Sequence, residues 1–217
     1  MATTTAATTL VPFLIDLDIF ERVVLRPPPD FSDDDFFDFC QRPEHELLRI
    51  ERNAEGDIIV MAPVGTEGGF TESQVAVELS IWAKRDGRGL AFGSNTGIKL
   101  PDGSTFSPDA FWITNETWKA IPRAIRKKFA SCVPPFVIEV RSPSDRKKDL
   151  HEKMLAYLRN GVELGWLIDP LSRTPTVRIY RQSEPFVELE NPARLEGEGP
   201  VAGFVLDLKE IYDVLDA

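Results

Sequence analysis

Three side chains stand out because their chemistry conflicts with their surroundings. Glu139 lies inside the apolar run "FVIEV", flanked by Val137, Ile138 and Val140. A carboxylate in a core strand costs several kcal/mol unless something pairs with it. Asp109 opens the run "SPDAFWI", where Pro108 fixes the backbone entry and pushes Ser107 toward an extended conformation. Lys153, in "KKDLHEKMLAYLRN", borders the helical stripe of Leu150, Met154, Tyr157 and Leu158. Its stem can lie over the core edge while its ammonium reaches inward. An aspartate at a strand entrance and a glutamate on a neighbouring strand can converge on one cation. Two carboxylates, completed by waters and phosphate oxygens, are the usual protein share of a Mg²⁺ site. A lysine beside them could stabilise developing charge or position an attacking water. Each residue also has a plain structural reading: Asp109 as a cap, Glu139 as the ion-pair partner of Arg141 or Lys153, Lys153 as a solvated helix lysine. Their order sets them apart: Pro-Asp at a strand start, Glu within an apolar strand, Lys on the following helix.

The elements that must position these groups follow from periodicity and turn chemistry. Side chains alternate along a strand, so Phe136, Ile138 and Val140 share one face, while Val137, Glu139 and Arg141 share the other. A strand apolar on both faces is central and covered on both sides. The turn "SPSD" and a helix from about Arg146 to Asn160 follow, with Gly161 placed as a helix C-terminal glycine. "LGWLID" then returns as a second buried strand. Upstream, Glu46–Glu51 and Asp57–Met61 flank a polar turn and read as a hairpin. "TESQVAVELSIWAKR" reads as a helix capped by Thr71 and stopped by Gly87 and Gly89. "LAFGS" and "GIKLP" read as strands, and "NETWKAIPRAIRKKF" as a helix broken at Pro122. "TVRIYR" and "FVELE" read as a last hairpin, and "VLDLKEIYDVL" as a terminal strand-to-helix piece. The sum is a mixed α/β fold, a mostly antiparallel meander feeding one strand–helix–strand crossover. The segment "RPPPDFSDDDFFDFC" reads as an arm or short helix laid on the surface, so residues 1–43 are expected to be peripheral and 44–217 a single domain.

At 217 residues, 42% apolar and 28% charged, the chain has the composition of an ordinary soluble globular protein. No stretch approaches the roughly 18 consecutive apolar residues of a membrane helix, and the N-terminus lacks the basic start of a secretory signal. Cys40 and Cys132 form no metal spacing and no disulfide framework, which points to a reducing cytoplasm. His45 and His151 lie too far apart in sequence to suggest histidine-based chemistry. The net charge of −10 argues against loose affinity for nucleic acid, but it is unevenly spread. Residues 1–60 carry 5 basic and 13 acidic side chains, residues 121–160 carry 10 and 4, and residues 181–217 carry 3 and 9. Positive charge therefore gathers around the strand and helix that bear Glu139 and Lys153.

"SPDAFWI", "FVIEVRSPSD" and "EKMLAYLRNGVELGWLIDP" together resemble the core of the PD-(D/E)XK nuclease superfamily and, more narrowly, the Uma-two family of restriction endonucleases of bacteria. The likeness runs from about His45 to Tyr212, and includes "FGSNTGIKLPDGSTFSPD" and "VAGFVLDL". The resemblance implies a restriction-endonuclease-like mixed β-sheet flanked by helices, a Mg²⁺ or Mn²⁺ site at Asp109 and Glu139, and a catalytic lysine. In most of the superfamily that lysine sits two residues after the glutamate. Here that position is Arg141, which stays protonated and can clamp a phosphate but cannot serve as a base. The resemblance therefore assigns the lysine role to Lys153. It also implies a further acidic or polar residue from the first core helix, for which Glu72, Gln74 and Glu78 are candidates. Arg141, Arg146, Lys147 and Lys148 are expected to bind DNA phosphates. Cutting both strands would call for a homodimer. The expected activity is metal-dependent DNA hydrolysis. Two alternatives stand beside it: a non-catalytic DNA-binding or protein-interaction module, and cleavage of RNA or branched nucleic acid.

Overall fold

A computed structural model describes residues 14–17 and 22–215. In chain order the elements are β1 (Leu14–Leu17), β2 (Arg22–Arg26), α1 (Asp33–Cys40), β3 (Arg49–Arg52), β4 (Ile58–Met61) and α2 (Thr66–Asp86). Next come β5 (Gly89–Gly93), β6 (Ile98–Lys99), β7 (Thr105–Phe106), β8 (Ala110–Thr114), α3 (Asn115–Ala120), β9 (Ala130–Ser131) and β10 (Phe136–Val140). The chain closes with α4 (Lys147–Arg159), β11 (Leu164–Asp169), β12 (Thr176–Arg181), β13 (Val187–Glu190), β14 (Arg194–Glu196), β15 (Val205–Asp207) and α5 (Leu208–Leu215). No helix among the described residues is long and apolar enough to cross a membrane.

The strands form two large mixed sheets and a small hairpin. One sheet runs β1-β2-β4-β3-β7-β6-β9, the other β13-β12-β11-β10-β8-β5, and β14 pairs with β15. In the second sheet β10 and β11 are parallel and joined through α4, while every other pairing is antiparallel. Its two faces separate cleanly. Trp112, Phe136, Ile138, Val140, Leu164 and Trp166 pack with Val75 and Leu79 of α2 and Ile211 of α5. Phe111, Ile113, Val137 and Leu167 face the other way, onto Leu150, Met154 and Tyr157 of α4 and onto Ile98 and Phe106 from the first sheet. This alternation within β8 and β10 is what a period of two demands of a strand covered on both sides. Each fully buried aliphatic side chain contributes roughly 1.5–3 kcal/mol.

The helices start and stop for local reasons. Gly161, at φ 103, occupies the left-handed position beyond α4, and Gly87, at φ 75, does the same beyond α2. The first helix of the core begins earlier than expected, at Thr66 rather than after Thr71. Gly65 is its N-cap, and the Thr71 hydroxyl donates to the Glu67 carbonyl 3.0 Å away, one turn back within the helix. α3 ends at Ala120, two residues before the helix-breaking Pro122. "GIKLP" is extended as expected, but it joins the first sheet through β7 and β9, two-residue strands too short to leave a period in the sequence. Within residues 1–43, β2 pairs with β4, and Ser32 caps α1 through a reciprocal bond with Asp35. α1 buries Phe36 and Phe39 against Ile58.

Candidate active site

The site is set by strand register. β8 and β10 are antiparallel, with Trp112 opposite Phe136, Phe111 opposite Val137 and Ala110 opposite Ile138. One further step brings Asp109 opposite Glu139, on the face that looks toward α4. A direct bond ties the step down: the Val140 N–H donates to Asp109 Oδ2 at 2.7 Å. Asp109 is 1% exposed and Glu139 2%. Both line a cavity of about 410 Å³ whose wall includes Arg49, Glu51, Arg146 and Lys153.

Each acid is met by a cation from another element. Arg49 of β3 donates through Nη2 to Asp109 Oδ1 at 2.7 Å, while its Nη1 lies 3.3 Å from Glu72 Oε1 on α2. Lys153 Nζ lies 2.8 Å from Glu139 Oε1 and 2.9 Å from Glu51 Oε1. The Tyr157 hydroxyl, one helical turn beyond Lys153, donates to Glu139 Oε1 at 2.7 Å. The Ser107 N–H donates to Glu51 Oε1 at 2.9 Å, anchoring that carboxylate beside the approach to Asp109. The cluster thus holds four carboxylates against two cations.

Burial and crowding govern the protonation of these groups. Burial pushes Glu139 up to about 8; Lys153 counteracts it, and Asp109 and Glu51 add to it. Burial, with Asp109 next to it, raises Glu72 to about 7 despite Arg49. Asp109 is raised as well, by burial, with Arg49 and Lys153 pulling back. Burial works against the Lys153 ammonium, but Glu139 and Glu51 more than offset it and hold the amine above the ordinary lysine range. Lys153 is therefore a fixed cation and hydrogen-bond donor rather than a base. The Tyr157 phenol, raised by burial and by Glu139, stays protonated and acts only as a donor.

The structure brings Asp109, Glu139 and Lys153 together, and of the three α2 candidates it places Glu72 in the cluster, through Arg49. Gln74 and Glu78 are half-buried on the same helix but do not line the cavity. Arg141 shares the face of Glu139 but pairs sideways with Asp169 at 3.1 Å, so it is not the partner of Glu139. Lys147 also goes to Asp169, at 2.8 Å, and to Ser172. Lys148 is exposed on the first turn of α4, and Arg146, its N-cap residue, lines the cavity. Arg49 and Glu51 are functional candidates that the sequence reading missed. In "RIER" they alternate with Ile50 as a solvent-facing pair would, and only the position of β3 over the second sheet turns them inward. Tyr157 reads correctly as core, while its hydroxyl contact depends on the crossing of α4 over β10.

The donor set suits a small divalent cation. Two acids from adjacent strands face one cavity, and the cluster sets four carboxyl groups against two protein cations. Among the described residues no three histidine, cysteine or carboxylate side chains form a ready-made cage. Mg²⁺ takes few protein ligands and keeps its waters, so two carboxylates fit its habits.

The chain matches the family model described as "Uma2: Putative restriction endonuclease" over residues 33–209. It is also similar in structure to a crystal structure of "a putative nuclease belonging to DUF820" from Anabaena variabilis, with a TM-score of 0.66 and 24% identity over 85% of this chain and 98% of that one. At that identity the likeness speaks for the fold. No curated protein matches the chain.

Proposed function

This chain belongs to the Uma2 family, whose model is described as "Putative restriction endonuclease", and from that premise we propose that it is a Mg²⁺- or Mn²⁺-dependent endonuclease acting on DNA. The observation that carries the reading is the register of β8 on β10, which sets Asp109 against Glu139 with the Lys153 amine 2.8 Å from the glutamate. Asp109 and Glu139 would hold the cation. When bound, a divalent cation supplies Lewis-acid stabilisation of phosphoryl charge and acidifies water. The protein's own groups do the rest. Tyr157 fixes the rotamer of Glu139, and the Val140 amide fixes that of Asp109. Lys153, held protonated, offers a preorganised charge to the phosphate as negative charge builds in the transition state. Arg146 on the cavity wall and Lys148 at the head of α4 would meet flanking phosphates. Cleavage of both strands would take two copies of the chain.

The test is plasmid nicking with Mg²⁺ or Mn²⁺. Asp109→Ala and Glu139→Ala should each lower the rate by about 100-fold or more, with circular dichroism reporting an unchanged fold. Nicking by either variant at the wild-type rate removes the assignment. One observation favours the non-catalytic alternative: both acids already have a protein cation in contact. A static ion-pair core of that kind would show no thermal stabilisation by Mn²⁺ that depends on Asp109.

A further inference from the structure

Arg49 is the most unusual group in the cluster. Its guanidinium bridges two carboxylates from different elements, 2.7 Å from Asp109 on one side and 3.3 Å from Glu72 on the other. The two bonds use different nitrogens, Nη2 and Nη1, so the grip is unequal: short on the strand acid, long on the helix acid. Nη2 also reaches the Ser107 carbonyl at 3.3 Å, while the buried Nε has no hydrogen-bond partner among the described residues. A buried donor left without a partner marks an arrangement that is not at its best for that group. Arg49 also occupies Asp109 Oδ1, the one oxygen of that acid not held by the Val140 amide. A divalent cation shared by Asp109 and Glu139 must compete with it for that oxygen.

Resting on the metal-site reading above, we propose that Arg49 is a resident counter-cation exchanged between two carboxylates: it neutralises Asp109 while the divalent site is vacant and passes to Glu72 when a cation binds. The exchange is a short one. The planar fork already touches both acids, so a small rotation lengthens one contact and shortens the other without moving β3 or α2. Glu72 thereby acts as a positioning residue, receiving the charge that the incoming cation displaces. The energetics favour the device on both sides. An uncompensated buried carboxylate is costly, so Asp109 needs a partner while the site is vacant. An arginine kept beside a bound divalent cation is repelled, so it needs somewhere to go.

Mn²⁺ titration by calorimetry and by thermal shift, with no nucleic acid present, separates this from a passive ion pair. Arg49→Met should bind Mn²⁺ about tenfold tighter than wild type, with a lower melting temperature before the metal is added. Glu72→Gln should bind it several-fold weaker, because Arg49 then has no alternative to Asp109. In the Arg49→Met background the Glu72→Gln effect should largely vanish, because Glu72 acts through Arg49. If Glu72→Gln weakens binding equally in both backgrounds, or leaves it unchanged with Arg49 present, the exchange is overturned. Should Arg49→Met be too unstable to purify, Arg49→Gln takes its place in the cycle, and unchanged affinity in Glu72→Gln refutes the proposal by itself. Asp109→Asn supplies the control for the underlying reading. Absence of Mn²⁺ binding in wild type and Arg49→Met alike sinks both the metal site and the exchange. Binding in wild type that Asp109→Asn abolishes, with affinities unmoved at positions 49 and 72, sinks the exchange alone.

Discussion

At the level of single residues, the anomalies that matter chemically are those paired across elements. Glu139 is tolerated in a core strand because Lys153 and Tyr157 both reach it from α4. Asp169 obeys the same rule at the far end of β11. Burial alone would raise its pKa, but bonds from Lys147, Ser172 and Arg141 more than offset this and lower it to about 2. An unfolded aspartate titrates near 3.9. The folded value is depressed, so the stabilisation is fully present above about pH 4 and is lost as pH falls through 2. Urea unfolding should show Asp169→Asn less stable than wild type by about 1–2 kcal/mol at pH 7, after allowance for solvent screening. The gap should close as pH falls from 4 toward 2. Asp109, Glu139 and Lys153 were legible in the sequence because each sits where its type is out of place. Arg49 and Glu51 were not, since a charged pair on alternate positions of a short strand looks the same whether it meets water or a second sheet.

At the level of elements, close packing leaves its mark in glycine. A Cβ on Gly89, at the start of β5, would stand 2.1 Å from the Ile113 carbonyl oxygen and 2.4 Å from Trp112. A Cβ on Gly165 in β11 would stand 2.4 Å from Met154 Cε, the tip of a flexible side chain on α4. Methionine can swing aside and backbone cannot. Gly165→Ala should therefore cost about 1 kcal/mol and Gly89→Ala about 3 kcal/mol or more, read from the shift in denaturant midpoint. The crossover β10–α4–β11 was readable because each part carries its own period and its own stop signal. The assignment of β6, β7 and β9 to a separate sheet was not. Two-residue strands carry no period, and their pairing is decided by Phe106 and Ile98 packing beneath α4. The start of α2 was misplaced for a related reason, as Gly68 and Gly69 weaken the helical signal in a turn that packs against Val64.

For the molecule as a whole, the basic segment is less available than its net charge implies. Lys128 pairs with Asp34 at 2.7 Å, and Arg126 donates to the carbonyls of Trp118 and Ile121. Arg141 and Lys147 go to Asp169, and Lys153 is held within the cluster. Outside the segment, Asp33 takes Arg52 and Lys99. Arg123, Lys127, Lys148 and Arg159 of the same segment stay exposed, so internal pairing reduces the cations that can release counterions from DNA without exhausting them. If Arg146 and Lys148 make the phosphate contacts, log K should fall against log salt with a slope of about −2, and Lys148→Ala should reduce it by about 1. Fluorescence anisotropy over a salt series reads both numbers, and a slope several times steeper would mean that further cations, such as the exposed Arg123, Lys127 and Arg159, join the contact. The charge asymmetry was visible in the sequence, but its internal neutralisation was not, because the acidic partners come from α1, from β3 and from the end of β11. The same wide sourcing bears on Asp109. The acid rides on the second sheet and Arg49 on the first, so the two sheets are joined at this point by a lock of opposite charges. Any breathing that parts them would leave a buried carboxylate without its guanidinium, so the pair resists separation of β3 from the second sheet.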